Sequence, residues 1–130
     1  MFKLMMFLLL SSSVFFACQK EDEGTPTDTV EGLWIGNYGF GSDNPDIFFS
    51  FNIKAGGVIE ELNKNKGVKG SGSWQLEGDD FTATYQWGAP YFTTYTVSAT
   101  FDKAHGKLSG YWGYDDSDSD GGKWNMEKSE

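Results

Sequence analysis

Arginine is missing from this chain, and histidine and cysteine occur once each among 130 residues. The ten basic residues are all lysine, against nineteen acids, for a net charge of −9. Without arginine there is no planar fork to hold a phosphate or carboxylate at two points. Without a basic face the chain lacks the electrostatic footprint of a nucleic-acid binder. Both absences argue against nucleic-acid and nucleotide roles. The lone Cys18 permits neither an intrachain disulfide nor a multi-cysteine zinc site, and the lone His105 rules out a histidine-rich metal site. No apolar run reaches the ~18 residues of a spanning helix. Residues 4–10 come closest, and Ser11, Ser12 and Ser13 interrupt them. No stretch has a helical period. Stability therefore rests on packing, for which the 17% aromatic residues supply the material.

What is present begins with a leader. Residues 1–17 have the parts of a signal peptide: Lys3 near the start, an apolar stretch that resumes at Val14, and the small residue Ala17 at the end. A cysteine directly after such a leader is either a free thiol or a site of lipid attachment. Phe15-Phe16-Ala17-Cys18 resembles the bacterial lipobox, and Gln19-Lys20-Glu21-Asp22-Glu23 is similar to the acidic export signal of surface lipoproteins in the Bacteroidota. The resemblance implies that Cys18 carries lipid and that Gln19, Lys20, Glu21, Asp22 and Glu23 direct display. The mature protein is then tethered to the outer membrane and exposed at the cell surface. One acyl chain binds a membrane only marginally, whereas several make a lasting anchor. The thiol would be consumed by the anchor, leaving no cysteine nucleophile.

Residues 18–29, acidic and polar with Gly24 and Pro26, read as a flexible linker whose ends lie on the order of 20 Å apart. Residues 30–130 read as one β domain. From Val30 the apolar residues alternate, and turn chemistry recurs about every twelve residues. Ile47, Phe49, Phe51 and Ile53 form one face of a strand; Val58 to Leu62 carry charge on both faces; Val68, Gly70, Gly72, Trp74 and Leu76 share a face. Phe81, Ala83 and Tyr85 follow, then Tyr95, Val97, Ala99 and Phe101, then Leu108, Gly110 and Trp112, then Gly122, Trp124 and Met126. About eight sequential antiparallel strands with short connections predict an all-β, up-and-down barrel; the alternative is a β-sandwich, which usually needs a long crossover. Gly-x-Trp recurs at Gly32-Trp34, Gly72-Trp74, Gly110-Trp112 and Gly122-Trp124, where small and large inward residues would alternate as a small barrel requires. The first of these resembles the opening of lipocalin-like and avidin-like barrels, which implies the barrel but neither biotin nor retinoid as ligand.

In a meander the loops sort by end. Residues 39–46, 63–67, 87–91 and 115–121 share one end, and the turns near Gly56, Gly78 and His105 share the other with both termini. The longer loops thus point away from the anchor. They carry Phe40, Trp87, Tyr91, Phe92 and Tyr114 beside carboxylates, a combination suited to sugar rings and to cationic or apolar ligands. A cavity lined by Tyr85, Tyr95 and Trp112 would mark a ligand binder, and a filled barrel would point to the outer loops. Asp116, Asp118 and Asp120, with Gly121 and Glu127, match calcium-loop spacing. Glu127, however, lies about 20 Å along a strand from Asp120, which leaves at most a weak calcium site. Otherwise no cofactor is expected. No nucleophile elbow accompanies His105, so a non-enzymatic binding barrel is expected, for a small apolar molecule or a glycan. The alternative is an accessory subunit of an envelope complex with a protein partner, and a small carboxylate-based hydrolase comes last.

Overall fold

The computed structural model describes residues 26–129. The leader, Cys18 and the run Gln19 to Glu23 lie outside the described residues. Eight strands follow in order: β1 (Gly32–Tyr38), β2 (Ile47–Lys54), β3 (Val58–Leu62), β4 (Val68–Glu77), β5 (Asp80–Trp87), β6 (Thr94–Asp102), β7 (Lys107–Tyr114) and β8 (Gly122–Lys128). Each pairs antiparallel with the next, and β8 returns to β1, so the sheet closes into an up-and-down barrel. Closure removes the unpaired edges an open sheet would expose.

Alternation decides what fills the barrel. Trp34, Phe51, Ile59, Phe81, Val97 and Leu108 point inward and are fully buried. Each such side chain contributes roughly 1.5–3 kcal/mol by leaving water. Glycine alternates with these large residues where the neighbouring strand crosses closely. A Cβ on Gly110 would lie 1.9 Å from the Ser98 carbonyl oxygen, so no other residue fits there. Four of the five tryptophans satisfy their indole N–H on backbone carbonyls, among them Trp34 on Val30 at 2.7 Å and Trp124 on Tyr111 at 2.9 Å.

Two expectations change. Val68 does not share the inward face. Glu61 pairs with Gly70 and Leu62 with Val68, so Lys69 is an extra residue on β4, a β-bulge. The bulge leaves Val68 56% exposed. The linker also ends earlier than composition suggests. Thr27 donates to the Lys103 carbonyl at 2.9 Å, and Lys128 Nζ donates to Thr27 Oγ1 at 2.9 Å and the Thr29 carbonyl at 3.0 Å. Residues 27–30 therefore strap the terminal end of the barrel, and Val30 is buried beneath them.

Candidate functional site

The opposite end is open. The strands there enclose a pocket of about 170 Å³, and every residue that lines it except Glu61 is aromatic. Its floor is Phe49 of β2, Tyr85 of β5 and Trp112 of β7, all buried. Tyr38, Trp87 and Tyr95 make the walls, and Phe40 and Tyr114, 48% and 41% exposed, stand at the mouth. Strand register sets this row: Tyr85 lies opposite Tyr95, and Tyr95 opposite Tyr114. Beneath the floor, Phe51 and Trp124 join it to the packed half, with ring centroids 5.5 Å from Tyr85 and 5.7 Å from Phe49 respectively.

The rings meet at steep angles. Tyr38 and Trp112 are inclined at 86°, Phe40 and Trp112 at 74°, and Trp112 and Tyr114 at 69°, with centroids 5.3–5.6 Å apart. Such edge-to-face contacts are the favoured aromatic geometry, and they build a box with walls rather than a flat platform. Backbone bonds hold the mouth. Gly39 N–H donates to the Lys123 carbonyl at 3.0 Å and Gly41 N–H to the Gly121 carbonyl at 2.8 Å, stitching Phe40's loop to the start of β8. Trp112 Nε1 donates to the Gly39 carbonyl at 3.0 Å, so one wall is fixed by the same loop.

One carboxylate, Glu61 on β3, lines the pocket among the described residues, and it is 3% exposed. A buried charge is tolerated only when paired and hydrogen-bonded. Trp87 Nε1 donates to Glu61 Oε1 at 2.8 Å, and Lys69 Nζ stands 3.2 Å from Oε2. Gly70 makes the first contact possible. It lies between Glu61 and Trp87 in adjacent strands and has no side chain, so the indole reaches over β4. The bulge makes the second possible by re-aiming Lys69, which strict alternation would send to solvent. Lys69 Nζ also sits 4.4 Å from the centre of the Trp87 ring.

Burial, followed by the charge of Glu61, pushes the Tyr85 phenol well above its ordinary range. Tyr38 and Tyr95 are raised too, burial being the main cause in each. The phenols of Tyr38, Tyr85 and Tyr95 are therefore held in their neutral form.

Of the residues expected to meet a ligand, Phe40, Trp87 and Tyr114 line the pocket. Tyr91 and Phe92 do not; they lie outside it, 70% and 58% exposed, with Tyr91 touching the outer side of Trp87 at 6.0 Å between centroids. Phe92 has a left-handed backbone (φ 51°), and its carbonyl accepts from Gln86 Nε2. Tyr85, Tyr95 and Trp112 do line a cavity. Tyr38, Phe49 and Glu61 were missed. Glu61 had a signal, its position two residues after the inward Ile59, but Glu60 beside it made β3 look charged on both faces.

The aspartate loop has a structural role. Asp120 Oδ1 accepts the Tyr114 N–H at 2.9 Å, and the Thr96 hydroxyl donates to the Asp115 carbonyl. Among the described residues no three His, Cys, Asp or Glu side chains gather as metal ligands would, and Asp116, Asp118 and Asp120 do not form such a set. At the strapped end, His105 Nδ1 lies 2.8 Å from Asp102 Oδ2, a contact that holds the Asp102 carboxyl below its usual range.

Compared with protein-family models, with curated proteins and with solved structures, the chain matches none.

Proposed function

We propose that this domain is a non-enzymatic binding barrel that takes a compact small molecule into its aromatic pocket. On this reading it is carried by a lipid on Cys18 at the outer face of the outer membrane, with the pocket mouth pointing outward. The observation that carries the proposal is the division of the barrel: one half is filled to its axis, and the other opens into a ring-lined space with a single buried, fully bonded carboxylate. The box-like walls favour a compact group over a flat one. The lining is mostly ring carbon, its polar atoms being tyrosine hydroxyls and the Glu61 carboxylate, which already accepts from Trp87 and pairs with Lys69. A sugar would bring hydroxyls all around to a wall that is mostly ring carbon, so an apolar-bodied ligand is preferred to a glycan.

The test is an NMR screen of compact fragments against the full chain in detergent. Shifts at the indole signals of Trp87 and Trp112, with Trp34 unchanged, are expected. Fragments that leave both indoles unmoved would overturn the reading. A second reading, docking of a protein partner on this end, draws on the exposed Tyr91 and Phe92 beside the mouth. A partner lost on Tyr91→Ser with Phe92→Ser, while the pocket binds no fragment, would favour it. The anchor is tested separately: Cys18→Ala should release the chain from membranes, and retention there would contradict lipid attachment.

A further inference from the structure

We infer that the ligand is an organic cation, an ammonium centre bearing small apolar substituents, and that Lys69 is a tethered competitor for its place. The inference rests on the pocket reading above and adds the charge of the ligand. Its first support is that two residues of the pocket wall, Glu61 and Trp87, already hold an ammonium group, that of Lys69, which stands beside the lining and not in it. Lys69 Nζ lies 4.4 Å over the Trp87 ring and 3.2 Å from Glu61 Oε2, which is the pairing an external cation would use. A cation within about 6 Å of a ring centre is attracted by the negative face of the ring, most strongly by Trp and Tyr and more so when water is excluded.

The second support is the shape of the walls. Tyr38, Tyr95, Trp112 and Tyr114 surround one space with rings inclined at 42–86° to their neighbours, so a compact centre meets several ring surfaces at once. The third is charge. An anion would meet Glu61, the one charged residue that lines the pocket among the described residues, and no arginine; the loops at this end carry Asp43, Asp46, Asp115, Asp116, Asp118 and Asp120, which do not line the pocket. The rim lysines Lys64 and Lys66 lie in one loop and do not line the pocket. An acidic rim raises the local concentration of cations.

Lys69 fits the role of competitor because the bulge that turns it inward leaves its side chain 34% exposed, with room to swing to solvent. When a ligand ammonium takes the Trp87 face, Glu61 keeps a counter-charge and its bond to Trp87. No covalent step is involved.

The experiment titrates the full chain in detergent with choline and with 3,3-dimethylbutan-1-ol, its uncharged isostere, following the Trp87 and Trp112 indole signals. Choline should bind at least about tenfold more tightly than the isostere. Lys69→Met should tighten choline several-fold and leave the isostere unchanged, and Glu61→Gln should weaken choline by about tenfold. Near-ultraviolet circular dichroism checks that both variants are folded; should Glu61→Gln fail to fold, the isostere ratio and Lys69→Met decide alone. Equal or tighter binding of the isostere, or looser choline binding in Lys69→Met, would overturn the cation inference while leaving the pocket reading intact. If neither compound moves either indole, both fall.

Discussion

The two halves of this barrel obey one rule and end differently. Along every strand alternate residues point inward. Toward the termini those residues are Trp34, Phe51, Ile53, Ile59, Phe81 and Leu108, which interlock and are sealed by the strap at residues 27–30. Toward the long loops they are tyrosine, tryptophan and a glutamate, which stand apart around a space. The difference lies in how the side chains can fill a circle. Edge-to-face rings occur in both halves, Phe51 on Trp124 at 81° and Tyr38 on Trp112 at 86°; toward the termini aliphatic side chains such as Ile53, Ile59 and Leu108 fill the space between rings, and no aliphatic side chain lines the pocket. A single eight-stranded barrel can thus be packed at one end and open into a pocket at the other.

Substitutions should separate the halves. Phe51→Ala in the packed half should cost about 3–5 kcal/mol in urea unfolding, since nothing can collapse into the space left. Phe40→Ala at the mouth should cost less than about 1 kcal/mol. Similar losses for the two would mean that the pocket end is as tightly packed as the core.

Glu61→Ala probes the junction of the two regions. It leaves the Trp87 indole and the Lys69 ammonium without their acceptor, so a loss of about 1–3 kcal/mol is expected in the same unfolding experiment. A neutral result would mean that the carboxylate is no part of the scaffold.

Alkali should act on the pocket before the core. Tyr85 has its phenol pKa raised from near 10 by burial. Above that value the unfolded chain gives up a proton that the folded chain keeps. Stability is therefore full below about pH 10 and falls as pH rises further. Unfolding midpoints at about pH 8 and about pH 11 test this, alongside phenolate absorbance, in which Tyr85 should titrate after the exposed tyrosines. In Glu61→Gln the lag of Tyr85 should shrink, because the neighbouring negative charge is gone. An unchanged lag would assign the whole effect to burial.

The smallest effect belongs outside the mouth. Tyr91→Ser should change stability by less than about 0.5 kcal/mol and leave the Trp112 indole signal in place. A large loss would make Tyr91 a wall residue after all.

Period-two alternation made the meander legible in the sequence, because each strand has an inward set that water would penalise if the register slipped by one. It failed where the backbone breaks that period. The bulge at Lys69 adds one residue to β4, and nothing in the side chains of Val68, Lys69 and Gly70 announces it. The Glu61–Lys69–Trp87 cluster depends on that bulge and on a gap at Gly70, both properties of strand pairing rather than of composition. Phe40, Trp87 and Tyr114 could be placed near the mouth from loop order alone. Whether a loop aromatic turns inward, as Phe40 does, or outward, as Phe92 does, is decided by local backbone angles and cross-loop bonds such as Gly41 to Gly121.

The claim that the long-loop half is a receptacle for a compact cation is tested most directly by nuclear Overhauser contacts from the N-methyl protons of choline to the protein rings. Contacts to Trp87, Tyr95 and Trp112, with none to Trp34 or Phe51, are predicted. Contacts confined to Tyr91 and Phe92, or none at all at saturating choline, would contradict it.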